Sequence, residues 1–249
     1  MEIVKDRVAL ISCATDEVGA AISMRLAENG AKVIVSGTDQ AKVESLVSAI
    51  RAKGGNAIGL AVDATQPGEV KTAVAKILAD FGRVDILINN AESRNFSKIK
   101  DMSDAQWQES FTANLSPVFH FCRELIPAMC AQQHGRIVNI SNIEYIGLPG
   151  MSNFSAAKSA LFGFTRSLAL EVARDKVTVN CVAKGDIKTS DMSDEDVEKL
   201  ASRLPVKKLG TPEDAARAVC FFASDASKYV TGQTFFVCGG KSAYFSMSI

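Results

Sequence analysis

Lys158 stands four residues after Phe154, and on a helix that spacing puts the two on one face, one turn apart. A lysine so placed can stabilise a phenolate, which makes a tyrosine one turn earlier an acid and base for a reacting hydroxyl. Phe154 has no proton to give. Upstream, Ser141 and Asn142 follow the apolar run Arg136-Ile137-Val138-Asn139-Ile140, which reads as a buried strand. A helical run follows over 155–174. The segment from Ser141 to Lys158 therefore lies at a strand end, where an α/β enzyme places its chemistry. Asn142 can donate a hydrogen bond to a carbonyl, but it cannot take up a proton and pass it on.

Carboxylates crowd a second place. The first apolar run, Val8-Ala9-Leu10-Ile11, feeds Ser12-Cys13-Ala14-Thr15-Asp16-Glu17-Val18-Gly19 and then a helix. A dinucleotide site in an α/β fold sits at such a turn, where glycines admit the pyrophosphate and helix N–H groups face its charge. Asp16 and Glu17 favour the helix dipole there. They would also repel a pyrophosphate by about 1 kcal/mol per charge pair in water, and by more if partly desolvated. An ordinary acidic helix start gives the same result for the cofactor.

Other candidates are few. His120 lies between two phenylalanines in a helix, and His134 precedes Gly135 at a helix end. Neither gathers a triad or a metal set around it. The tyrosines are Tyr145, Tyr229 and Tyr244. Tyr145, in the loop after the strand, is expected to reach toward a substrate cleft, but it has no lysine one turn away. Ser155 points about 100° around the helix from Phe154.

The elements that position these residues alternate along the chain. Strands are expected near 8–11, 32–36, 57–62, 84–90, 137–141, 177–182 and 234–237. Helices are expected over 17–29, 39–53, 67–81, 103–132, 155–174, 194–203 and 212–224. The strand runs are almost wholly apolar, as they are when helices cover both faces of a sheet. The pattern predicts one α/β domain over 1–249, a doubly wound parallel sheet of Rossmann type. The 249 residues, 47% hydrophobic, suffice for that core.

Formal net charge is zero, so there is no electrostatic case for nucleic acid or an anionic membrane. The charged start Met1-Glu2-Ile3-Val4-Lys5-Asp6-Arg7 does not read as a signal peptide, and no apolar run is long enough to span a bilayer. Six scattered cysteines without CxxC spacing read as free, mostly buried thiols, and with them a cytoplasmic location is expected.

Over nearly its full length the chain resembles the short-chain dehydrogenase/reductase family. That family's active-site segment runs strand, serine, loop, tyrosine, three residues, lysine. By that resemblance Lys158 is the lysine and Phe154 occupies the tyrosine position. Asn142, or Ser141 one step away, takes the place of the serine, with the loop about one residue short. Asn114 matches the asparagine that holds a proton-relay water. In the T-G-x-x-x-G-x-G turn only Gly19 is kept, and Cys13 and Glu17 replace the first two glycines. The N-N-A-G motif reads Asn89-Asn90-Ala91-Glu92, with Asn89 structural. The P-G pair reads Lys184-Gly185. Asp63 resembles the adenine-contacting aspartate, and Ile187 and Thr189 the I-x-T that meets the carboxamide. No acid or arginine selects the ribose after the second strand, where Asp39 is a weak candidate.

The resemblance therefore implies a vestigial catalytic set, Asn114, Asn142, Phe154 and Lys158, and a vestigial cofactor set, Gly19, Asp63, Asn89 and Thr189. Lys158 and Asn114 can equally be read as a helix-surface charge and a satisfied polar side chain. The expected chain binds no NAD(P) and no metal. It pairs with a homologous active subunit that carries NAD, in a hetero-tetramer built on the helices holding Asn114 and Lys158 and on the edge running from 212 to 240. Two other functions fit the residues, an atypical NAD(P)-dependent alcohol or ketone oxidoreductase and a ligand-sensing module that uses the old cleft.

Overall fold

Alternation along each strand decides which face of the sheet each apolar side chain covers. The computed structural model describes residues 3–246, with the side chains of 244–246, Tyr244 among them, outside the described set. The strands are β1 (Val8–Ser12), β2 (Lys32–Gly37), β3 (Asn56–Ala61), β4 (Ile86–Asn89), β5 (Gly135–Asn142), β6 (Val177–Lys184) and β7 (Thr234–Val237). All pair in parallel, in the order β3-β2-β1-β4-β5-β6-β7. The helices are α1 (Glu17–Glu28), α2 (Gln40–Ala52), α3 (Pro67–Phe81), α4 (Asp104–Asn114), α5 (Ser116–Ala131), α6 (Ser152–Val172), α7 (Asp194–Ala201), α8 (Pro212–Ala223) and α9 (Lys241–Ser246).

In β1, Ala9 and Ile11 point to one face and Val8 and Leu10 to the other, as a period of two requires. The first pair packs with Ile22 and Leu26 of α1, Val43 and Val47 of α2 and Val219 of α8. The second packs with Val74 and Ile77 of α3, Phe121 and Leu125 of α5 and Leu161 of α6. Two apolar layers thus sandwich one sheet, and the central strands are buried throughout. The doubly wound sheet expected from the pattern is the one observed. The strand order reverses between β1 and β4, so the loops after them diverge and open a crevice at the C-terminal edge. Among the described residues no helix is long and apolar enough to cross a membrane.

The expected long helix over 103–132 is two helices, broken at Leu115. Pro117 lacks an N–H and disfavours helical backbone at the residue before it. The Asn114 side chain adds to the break by donating to the carbonyl of Ser110, one turn back, at 2.8 Å. A 3₁₀ turn at Ile143–Ile146 and the short α9 were not signalled by periodicity.

Gly19 is required by packing. A Cβ there would lie 2.7 Å from both Cα and O of Ala14, because the first turn of α1 runs directly over the loop that feeds it. Gly19→Ala must push α1 off that loop and is expected to cost about 1–3 kcal/mol, read as a lower urea midpoint with an unchanged slope.

Candidate functional site

The crevice is built from the C-terminal ends of β1, β4, β5 and β6 and the first turns of α1 and α6. At its β1 end the turn keeps Gly19 and carries Cys13 and Glu17 at the other two glycine positions. Cys13 adopts a φ of 51°, the left-handed backbone that favours glycine. Asp16 caps α1, its Oδ1 accepting from the Gly19 N–H at 2.6 Å. Asn90 Nδ2 donates to both Asp16 oxygens, at 3.0 and 3.2 Å, and to the Cys13 carbonyl at 3.1 Å. Glu17 Oε1 accepts from the backbone N–H of Ser190 at 2.8 Å and from its hydroxyl at 2.6 Å. The loop after β6 is thereby tied to the start of α1. The N-terminus of α1 is met by the Asp16 carboxylate, where the family's turn would meet a pyrophosphate.

The remaining cofactor positions fall on the same edge. Asp63 Oδ1 accepts from the N–H and hydroxyl of Thr65, at 2.9 and 2.7 Å, in a turn of its own. Asp39 caps α2 through the N–H groups of Ala41 and Lys42. Thr189 is half-buried and its carbonyl accepts from Met192, while Ile187 bridges to Gly210. Asn89 Nδ2 donates to Asn139 Oδ1 at 2.9 Å, and Asn139 Nδ2 to the Thr165 hydroxyl at 2.9 Å. That buried chain ties β4 to β5 and β5 to α6, the structural role expected of Asn89.

At the other end the catalytic positions have become a charge cluster. The reading of Lys158 as a helix-surface charge is overturned, since its side chain is 0% exposed. The Lys158 ammonium donates to the carbonyls of Ala91, just after β4, at 2.6 Å and of Ile140 in β5 at 3.5 Å. Burial pushes its pKa down to about 8, against the pull of Glu92. Phe154 is also fully buried. Its ring centroid lies 5.5 Å from the Lys158 ammonium and 5.3 Å from the Arg94 guanidinium, both within cation–π range.

Glu92 pairs with Lys184 at 2.8 Å and with Arg94 at 2.9 Å. Burial works against its charge, but Lys184, Lys158 and Arg94 outweigh it and hold the carboxyl well below the usual range. Arg94 also reaches Glu144, at 3.9 Å. The residues substituted at two family motifs, Glu92 for glycine and Lys184 for proline, thus meet as an ion pair.

Several hydrogen-bonding groups at these positions bond within the chain, while Asn142 Nδ2 and Ser155 Oγ are buried without a partner. Asn114 accepts from the Ser93 N–H and donates to the Ser93 carbonyl, both at 2.9 Å, which pins the segment after β4 onto α4. Asn142 Oδ1 caps the 3₁₀ turn through the Glu144 N–H at 3.2 Å. Ser141 donates to the Lys158 carbonyl at 3.0 Å and so faces α6. Tyr145 does not reach the cleft. It packs edge-on against Phe162 at 4.6 Å and against Phe236 at 5.6 Å. Ser155 is buried. His120 bonds the Ala64 carbonyl at 3.0 Å, and His134 lies at the far edge of the sheet beside Asp85. All six cysteines are free, and among the described residues no group of His, Cys, Asp or Glu could hold a metal ion.

Arg94 and Glu144 belong to this cluster and were not singled out from the sequence. The one available signal was that two motif positions had acquired opposite charges, Glu92 and Lys184. Nothing in local spacing marks Arg94 or Glu144.

Direct comparison agrees with the fold. Residues 14–242 match the family model described as enoyl-(acyl carrier protein) reductase. The chain belongs to the short-chain dehydrogenase/reductase family. It is 46% identical to the BbsC subunit of (2S)-[(R)-hydroxy(phenyl)methyl]succinyl-CoA dehydrogenase from Thauera aromatica, over 98% of this chain and 97% of that one. It is 37% identical to the BbsD subunit of the same enzyme, over 97% and 98%. A solved short-chain dehydrogenase/reductase structure from Burkholderia xenovorans matches with a TM-score of 0.92 and 33% identity, covering 96% of this chain and 98% of that one.

Removing the Glu92 charge leaves Lys184, Lys158 and Arg94 crowded without their shared anion. Glu92→Gln is expected to lower the unfolding free energy by about 3 kcal/mol at pH 7. The folded pKa of Glu92 is depressed, so its contribution is present above the unfolded value of about 4.3 and is lost as pH falls below it. Urea unfolding between pH 7 and pH 3 should show a steeper loss for the parent chain than for Glu92→Gln.

Proposed function

We propose that this chain is a catalytically silent subunit of a short-chain dehydrogenase/reductase complex, and that a homologous active subunit carries NAD and transfers the hydride. One observation carries the reading. The position of the proton-donating tyrosine holds Phe154, fully buried and engaged by two cations, and the lysine that would activate a phenol donates to two backbone carbonyls. The neighbouring groups supply no substitute. Asn142 caps a turn, Ser141 faces α6, and Tyr145 lies in an aromatic cluster.

The same proposal covers the cofactor. Asp16 already takes the Gly19 N–H, Glu17 spans to the loop after β6, and Glu92 with Lys184 fills the crevice between β4 and β6 with a short ion pair. These residues do not fit a pyrophosphate, and we infer that the chain itself binds neither NAD(H) nor NADP(H).

The complex we propose is a hetero-tetramer related to the one to which BbsC and BbsD belong, acting on a 2-(hydroxy(phenyl)methyl)succinyl-CoA thioester in anaerobic toluene degradation. The two relatives support this, since both are named as subunits of one dehydrogenase. The chain's part in it is to bind and shape the active subunit. Apolar side chains left uncovered suit that part. Phe119 on α5 is 45% exposed and Leu170 on α6 82%, and a groove of about 390 Å³ between the two helices is lined by Phe119, Ile126, Phe164 and Leu168. Phe221, Phe235 and Phe236 are also exposed, at the α8–β7 edge.

Three measurements test the reading. Calorimetric titration of the purified chain with NAD(H) or NADP(H) should give no dissociation constant below about 100 μM, roughly −5.5 kcal/mol; tighter binding overturns the cofactor proposal. Phe154→Tyr alone should remain inactive toward alcohols and ketones, because the cofactor turn is altered as well; turnover by the single chain overturns silence. Co-expression with a neighbouring homologous chain, followed by native mass measurement, should recover a mixed assembly. A monodisperse monomer with no homologue retained overturns the partner.

A further inference from the structure

A cleft of about 670 Å³ opens at the N-terminal ends of β5 and β6, the edge of the sheet opposite the candidate site. Arg136 and Thr178 are register partners there, so their side chains stand side by side on one face. Both line the cleft, and they are 4% and 6% exposed. Arg136 Nη1 donates to the carbonyls of Gly135 and Lys176, and Nη2 to Asp225 at 2.9 Å. Its Nε has no partner, and neither has Thr178 Oγ1. Buried polar atoms are costly unless something bonds them. Here two such groups able to donate belong to neighbouring residues that line one cleft.

The charge around them is positive. Arg7 and Arg136 share Asp225, and Arg7, Arg83 and His134 gather on Asp85. Asp175 accepts from Gln133 at the same edge. Lys176 and Lys228 line the cleft as well, exposed, and neither ammonium has an ion-pair partner among the described residues. Cations therefore outnumber carboxylates. His134 responds to this field: burial first, then Arg136 and Arg7, push its pKa down to about 4, so it is neutral near pH 7. Tyr229, also in the cleft lining, is 99% exposed and offers a free aromatic face.

The geometry points to a phosphoryl-binding site. Arg136 Nε and Thr178 Oγ1 donate to the phosphoryl oxygens, Lys176 and Lys228 supply charge at the rim, and Tyr229 gives a stacking surface when the phosphate is carried by a nucleotide. The cleft volume suits a mononucleotide. The site lies away from the filled crevice and does not depend on the chain being silent.

The test is calorimetry on the full chain with inorganic phosphate and with AMP, titrated separately. Variants are Thr178→Val, which keeps the β-branched shape, Lys228→Glu, on the surface, and Tyr229→Ala. AMP or phosphate should bind at one site per chain with a dissociation constant below about 1 mM. Thr178→Val and Lys228→Glu should each weaken that binding at least about fivefold, with the thermal midpoint unchanged for Lys228→Glu. Tyr229→Ala separates the two sources. A loss for AMP alone identifies a nucleotide, and no loss identifies free phosphate on the same oxyanion contacts. No heat from either probe up to about 5 mM, or binding that both Thr178→Val and Lys228→Glu leave unchanged, overturns the proposal.

Discussion

The Glu92 carboxylate is the anion on which the rearranged crevice depends. Lys184, Arg94 and Lys158 are all held close to it, and Lys158 and Lys184 are buried. Charges at such depth persist only when paired and hydrogen-bonded. Glu92 supplies the pairing, and the carbonyls of Ala91 and Ile140 supply hydrogen bonds to Lys158. The phenyl ring of Phe154 then fits where a phenol would otherwise be needed, because its face is attractive to both neighbouring cations and asks for no proton partner. Loss of the tyrosine hydroxyl and gain of a carboxylate at Glu92 are parts of one electrostatic arrangement.

The family frame separates here into two halves. Features that shape the backbone are retained: Gly19 where α1 crosses its own loop, the left-handed turn at Cys13, and the Asn89–Asn139–Thr165 chain between the sheet and α6. At the motif positions that face a ligand in the family, side chains of this chain bond to one another. Asp16 accepts from the start of α1, Glu17 accepts from Ser190 in the loop after β6, and Asn114 closes on Ser93. Such internal contacts tie the crevice edges to one another through groups of the same chain.

Much of this was legible from residue order. Apolar strand runs and amphipathic helices announced the sandwich, because burial on both sheet faces and on one helix face writes its period into the sequence. The exchange of Phe154 for tyrosine, and of Cys13, Glu17 and Glu92 for glycines, was equally plain, because each is a change of chemical type at a known spacing. The break at Leu115 was foreshadowed only by Pro117. The burial of Lys158 was not, since a charged residue in a helical run normally faces water.

The sequence by itself determined the fold class, the order of the elements and the absence of a hydroxyl at position 154, all of which rest on local periodicity or single-residue chemistry. Tertiary structure decided what surrounds that position. Glu92 and Lys184 lie at the ends of β4 and β6, on either side of β5, and Arg94 and Glu144 reach the same cluster from two separate loops. Arg136 and Thr178 meet only because β5 and β6 pair in that register. An ion pair or a pocket wall made across strands has no sequence period, because the distance that matters is set by strand pairing and by the helices that close over it.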